Sequence, residues 1–266
     1  MWKRHKLTAG LLSLLVLLPF AACSSGSSND SGGNSAEPKL SIAAAPAADS
    51  VAREPDRASE AADSKATSGT IYKVVIDPGH GGEDPGATSV SGRFEKEFNL
   101  SISLAVAAKL AQDPQIQLEL TRTGDEFISS HELFRPEFAN TLPADLFISI
   151  HGNTYEDESA SGTETFYYHE DSQAFAETIH RHVIQATGLK DRGVKTENFY
   201  VLRDTEMPSA LLELGYLTNP GDEAKMWTYS FQDAVAEAIV DGIKEYCSIL
   251  ERGEKPAASP AQREES

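Results

Sequence analysis

The sequence is poor in cysteine and in positive charge. Cys23 and Cys247 are the only cysteines in 266 residues, so neither a disulfide framework nor a Cys-rich zinc site can be built from it. Lys and Arg number 23 against 41 Asp and Glu, a formal net charge of −18. A nucleic-acid binder needs a basic footprint to displace counterions from phosphates, so that class is excluded. Adhesion to anionic membranes or wall polymers by charge alone is excluded by the same imbalance. Long apolar runs are scarce too. The stretch from Leu11 to Ala22 is broken only by Ser13, yet it falls short of the ~20 residues that span a bilayer. What is present, 40% hydrophobic and 8% aromatic residues, suffices for a folded core and is too much for a wholly disordered chain.

The two ends read as something other than fold. Lys3, Arg4 and Lys6 precede the apolar stretch, which makes residues 1–23 an export signal. It closes in Pro19-Phe20-Ala21-Ala22-Cys23, which resembles the lipobox of bacterial lipoproteins, with Phe20 where Leu is more usual. The resemblance implies that Cys23 becomes the lipidated first residue of an exported, membrane-anchored protein facing the cell wall or periplasm. Residues 24–69 are Ser, Ala, Gly, Asp, Glu and Pro without an aromatic, too little apolar surface to offset ordering entropy, and read as a disordered tether. Residues 252–266 read as a disordered tail of similar character, which leaves one domain over 70–251.

Within that domain apolar runs stop at chemistry. Ile71 to Ile76 is a β-branched run ended by Asp77-Pro78-Gly79-His80-Gly81-Gly82, and Asp145 to Ile150 ends at His151-Gly152-Asn153. Ser209 to Gly215 carries Glu213 inside a run too apolar to welcome it. Further strands are expected over Gln115–Thr121, Gly162–Tyr168 and Phe199–Arg203. Helical spacing places Leu100, Leu104, Ala107 and Leu110 on one stripe and Phe175, Ile179 and Val183 on another, and a last helix is expected from about Ser230 to Leu250. The alternation predicts a single α/β domain, its central sheet mostly parallel or mixed, with helices on both faces. In such sheets functional groups gather beyond the carboxyl ends of strands, where His80 and His151 fall.

His80 and His151 are metal-ligand types on glycine-flanked loops, Glu95 stands before a long helix, and Glu213 is costly to bury charged unless it meets a metal, a proton or a donor. Singly, each has an ordinary structural explanation. Together they lie in a pattern. Val74-Val75-Ile76-Asp77-Pro78-Gly79-His80-Gly81-Gly82-Glu83-Asp84-Pro85-Gly86-Ala87 resembles the opening motif of the zinc-dependent N-acetylmuramoyl-L-alanine amidases, the family called Amidase_3. The likeness continues in order through Glu95-Lys96 and Asn99-Leu100, Thr121-Arg122, Ala139-Asn140, the run ending in His151-Gly152-Asn153, Asp191 to Lys195, Phe199 to Arg203, and Leu212 to Asn219. It departs at Gly152, where Ala is usual, and at Pro136 in a stretch usually helical.

The resemblance implies that His80, Glu95 and His151 hold one Zn2+ per domain and that Glu213 is the catalytic carboxylate. Zinc-bound water would attack the amide joining the lactyl group of N-acetylmuramic acid to L-alanine, with peptidoglycan as the substrate. Asn153 and Arg203 are candidates for contact at the cleft rim. Glu97 is the weaker choice of ligand because it points elsewhere on a helix, and Asp77 is either a support for the site or a turn residue before Pro78. Glu83 and Asp84 read as solvated loop charges, His180 and His182 as surface residues, and His131 and His169 as unpartnered. The connection after His151 leaves no room for the long helical insertion that blocks the site in some relatives. Two rival readings are another zinc hydrolase, such as a carboxypeptidase or poly-γ-glutamate hydrolase, and a non-catalytic wall-binding lipoprotein. No protein partner is identifiable in the sequence.

Overall fold

The computed structural model describes residues 69–129 and 132–253. The export signal, nearly all of the tether and tail, Cys23 and His131 lie outside the described residues. Among the described residues no helix is long and apolar enough to cross a membrane.

Six strands form one mixed sheet: β1 (Tyr72–Pro78), β2 (Ile116–Leu120), β3 (Leu146–Asn153), β4 (Thr163–Tyr167), β5 (Asp191–Thr196) and β6 (Ser209–Tyr216), in the order β2-β1-β3-β6-β4-β5. The pairs from β2 to β6 are parallel, and β4 runs antiparallel to β6 with β5 parallel to it. Period-two alternation splits the strand side chains between two cores. Val74, Ile76, Leu146, Ile148, Leu212 and Leu214 face the larger core, against α1 (Glu95–Leu110), α3 (Gln173–Thr187) and α6 (Tyr229–Glu251). Val75, Phe147 and Leu211 face a smaller core beneath α2 (Phe134–Thr141) and α4 (Tyr200–Arg203). Helices therefore cover both faces, as the alternation of elements requires. A sixth helix, α5 (Pro220–Met226), follows β6. It begins at Asn219, whose side chain accepts from the amides of Gly221 and Asp222 at 2.9 Å each.

Two local expectations are corrected, and one strand appears that the sequence pattern did not announce. The stripe that α1 buries is Phe98, Ile102, Val106 and Leu110, while Leu104 is exposed. The helix is apolar on more than one side, and its rotation is set by Glu95 and Asn99, which must face the strand ends; residues stacked above them at helical spacing then enter the core. Phe199–Arg203 is not a strand, since residues 200–203 form the single turn of α4. A run of four apolar residues before Arg203 fits either period, and the turn buries Val201 and Leu202 together. Conversely, the polar segment of β5 escapes a hydrophobicity reading because it is an edge strand, where charge is tolerated and protects against edge pairing.

Candidate active site

β1, β3 and β6 lie side by side and end at the same edge. Pro78 pairs with Ile150, and His151 pairs with Glu213, so His151 and Glu213 stand across neighbouring strands and His80 follows two residues beyond β1. The loop after β1 is sharply bent: His80 has φ +61°, left-handed backbone that costs an L-residue about 1–3 kcal/mol. Two buried arginines hold it there. Arg135 donates from Nη1 to the Pro78 carbonyl and from Nη2 to the His80 carbonyl, both at 2.8 Å. Arg122 donates from Nε to Pro78 O at 3.0 Å and from Nη2 to Gly79 O at 2.8 Å. Beneath them Asp77, fully buried, binds Arg135 and accepts from Thr121 Oγ1 and from Ser149 Oγ. Burial alone would raise the Asp77 pKa, but Arg135 and the two hydroxyls outweigh it and hold the carboxyl below the ordinary range. Asp77 is thus an interior counter-ion rather than a turn residue.

Glycine lets the donors close up. A Cβ on Gly79 would sit 2.2 Å from Cε1 of His151. One on Gly86, at φ +66°, would meet Glu95 Oε2 and His80 Cδ2 at 2.6 Å. Glu95 Oε1 lies 3.2 Å from His80 Nε2 and 2.9 Å from His151 Nδ1, and the two rings cross at 82° with centroids 5.0 Å apart. One ligand atom from each of the three residues falls within 4.8 Å of the others. Two of the three are oriented from behind. His80 Nδ1 faces Asp84 Oδ2 at 2.8 Å, and Glu95 accepts from Ala87 N at 2.8 Å and from Asn99 Nδ2 at 3.2 Å. Two imidazoles and one carboxylate with such supports fit a zinc ion that keeps an open position. Burial opposes both charges, yet each prevails: Glu95 and Asp84 raise the His80 pKa, and the two histidines hold the Glu95 carboxyl far below its usual range. Asp84, expected to be solvated, is therefore part of the site, and Glu97 is spent on the helix start, accepting from Phe94 N at 3.3 Å.

Glu213 lines a cavity of about 220 Å³ with His80, His151, Arg135, Phe199, Tyr200 and Leu211. Its Oε2 is buried with no hydrogen-bond partner among the described residues. Burial, then the nearby Glu95 and Glu164, push its pKa well above the ordinary carboxylate value. Burial likewise pushes the Tyr200 phenol up to about 12.

The other candidates fall elsewhere. Asn153 is engaged with Glu164, donating from Nδ2 at 2.6 Å. Arg203 pairs with Asp204 at 2.7 Å and lines a different cavity with His169, Asp171 and Glu206, so the structure does not bring it to His80 and Glu213. His180 is buried, not superficial, between Thr165 Oγ1 at 3.0 Å and Asp191 Oδ1 at 2.9 Å, because the turn of α3 points it at the sheet. His182 meets Glu245 at 2.7 Å. Sequence reasoning missed Arg135 and Tyr200 altogether. The available signal for Arg135 was the buried Asp77, which needs a cation.

Residues 74–245 match the family described as N-acetylmuramoyl-L-alanine amidase, Amidase_3. The uncharacterized protein YqiI of Bacillus subtilis (strain 168) is 42% identical over 177 residues, 65% of this chain and 84% of that protein. The sporulation-specific N-acetylmuramoyl-L-alanine amidase of the same strain is 39% identical over 179 residues, 66% of this chain and 68% of that one. Among solved structures, the catalytic domain of CwlV, an N-acetylmuramoyl-L-alanine amidase from Bacillus (Paenibacillus) polymyxa var. colistinus, superposes with a TM-score of 0.65 at 43% identity, covering 67% of this chain and 99% of that one.

Proposed function

The chain belongs to the N-acetylmuramoyl-L-alanine amidase family, enzymes that cleave the muramyl–alanine amide of peptidoglycan, and we propose that His80, Glu95 and His151 hold one zinc ion for this reaction while Glu213 moves the protons. The observation that carries the proposal is the convergence of two imidazoles and a carboxylate beside a carboxylate oxygen left unpaired at the wall of a cavity. A bound zinc ion supplies Lewis-acid polarisation of the carbonyl and water acidified to about neutral pH. Glu213 takes the proton from the attacking water and delivers it to the departing alanine nitrogen. A carboxylate can serve both halves of that transfer when burial lifts its pKa, which supports this assignment. Asp84 and Asn99 keep His80 and Glu95 in place, and Arg122 and Arg135 keep the loop that carries His80.

The test is product identity. Incubation with purified peptidoglycan is expected to free L-alanine amino termini without new glycan reducing ends, to stop on chelation, and to resume on adding zinc. New peptide termini other than L-alanine would replace this reading with that of a zinc peptidase.

The domain, read as 70–251, acts outside the cytoplasm, and we assign residues 1–23 to export, Cys23 to lipid anchoring and 24–69 to a tether. Charge cannot hold so acidic a chain against an anionic wall, so a covalent anchor supplies the proximity. Cell fractionation checks this: Cys23→Ser is expected to shift the protein from the membrane to the soluble fraction, and unchanged partitioning would sink the anchor.

A further inference from the structure

β4 lies antiparallel to β6 in a register that sets Glu164 directly opposite Glu213. Like charges so placed repel, and Glu164 is accordingly saturated. Its Oε1 accepts from Asn153 Nδ2 and from Tyr216 Oη, both at 2.6 Å, and its Oε2 pairs with Lys195. Arg192 Nε stands 3.5 Å from the same carboxylate, with its guanidinium 5.2 Å from the centre of the Tyr216 ring. One buried carboxylate thus faces two cations, and the group keeps a net positive charge within a chain of net −18. The Lys195 side chain is 43% exposed, so its ammonium retains donors free for a ligand.

A pair of aromatic rings links this positive spot to the cavity at Glu213. Phe199, which lines that cavity, meets Phe166 edge to face at 5.4 Å, and the Lys195 ammonium lies 5.9 Å from the centre of the Phe166 ring. Lys195 sits on β5, two strand spacings from β6, or about 10 Å. In the substrate, the lactyl carboxyl is consumed in the scissile amide, and the sugars carry only hydroxyl and acetamido groups. Any anion near the cut must therefore lie on the peptide. Two extended residues reach about 7 Å, and the lysine stem spans the remainder.

Resting on the amidase reading, we propose that Lys195, with Arg192 beside it, binds a free carboxylate on the second residue of the stem peptide and so selects acidic over amidated stems. The experiment uses the full chain loaded with zinc and two soluble substrates: N-acetylmuramoyl-L-alanyl-D-glutamate and its D-isoglutamine counterpart, each capped as the γ-methylamide, so that they differ only by an α-carboxylate against an α-carboxamide. The intact enzyme is expected to favour the carboxylate by about tenfold in kcat/KM, mostly through KM. Lys195→Gln is expected to bring that ratio near one, and Lys195→Arg to restore it. A ratio of one in the unsubstituted enzyme, or a ratio that survives Lys195→Gln, would overturn the inference while leaving the amidase reading intact. Cleavage of neither substrate by the unsubstituted enzyme would overturn both.

Discussion

Glu213→Gln is expected to lower kcat by about 100- to 10,000-fold, the usual contribution of a positioned general acid–base group. The amide keeps the shape of the carboxylate and can still hydrogen-bond, but it cannot accept a proton from water. Because the proposed zinc donors are His80, Glu95 and His151 and not Glu213, zinc affinity measured against a competing indicator should change only a fewfold. Stability should move in the opposite direction to activity. Glu213 is a carboxylate with one buried unpaired oxygen, placed near Glu95 and Glu164, so neutralising it relieves desolvation and repulsion. A variant that is inactive, binds zinc and melts higher is the expected combination. Peptide release at the unsubstituted rate would remove Glu213 from the mechanism.

Arg135→Leu is expected to cost about 3–5 kcal/mol of stability, the penalty for leaving one member of a buried ion pair alone. Asp77 would be stranded at 0% exposure with only two hydroxyl donors, and the carbonyls of Pro78 and His80 would each lose a donor. The pH dependence follows from the same pair. In the intact protein the Asp77 pKa is held below its unfolded value, so its contribution is present above the unfolded pKa and fades as pH falls through the folded one. Without Arg135, burial instead raises the folded pKa, which makes the variant worst at neutral pH. Urea unfolding at pH 7 and at pH 4 should show the gap narrowing in acid, and a second change, Asp77→Asn, should recover part of the loss. A gap independent of pH would mean that the lost carbonyl contacts, not the charge, dominate.

Much of the arrangement was legible because strand chemistry is local. A β-branched run that stops at Pro and Gly before a histidine announces both a strand end and its cargo, and this held for His80; the run before His151 was expected to stop there, but β3 continues through His151 to Asn153. Glu213 announced itself by its misfit in an apolar strand. What stayed hidden depended on long-range partners. Arg135 lies 58 residues from Asp77, in a segment whose pattern gives no hint of a buried cation. Asp84 looked solvated because its role exists only once the loop folds back on His80. The rotation of α1 was misjudged for a related reason, since hydrophobicity offered two faces and the site chose between them. The direction of β4 could not be read from its own residues, which alternate alike whichever way they run.

That reversal shapes what the enzyme can take hold of. β4 and β5 begin rather than end at the edge where His151 and Glu213 stand, so Glu164, the second residue of β4, faces Glu213 where a parallel neighbour would have brought its own strand end.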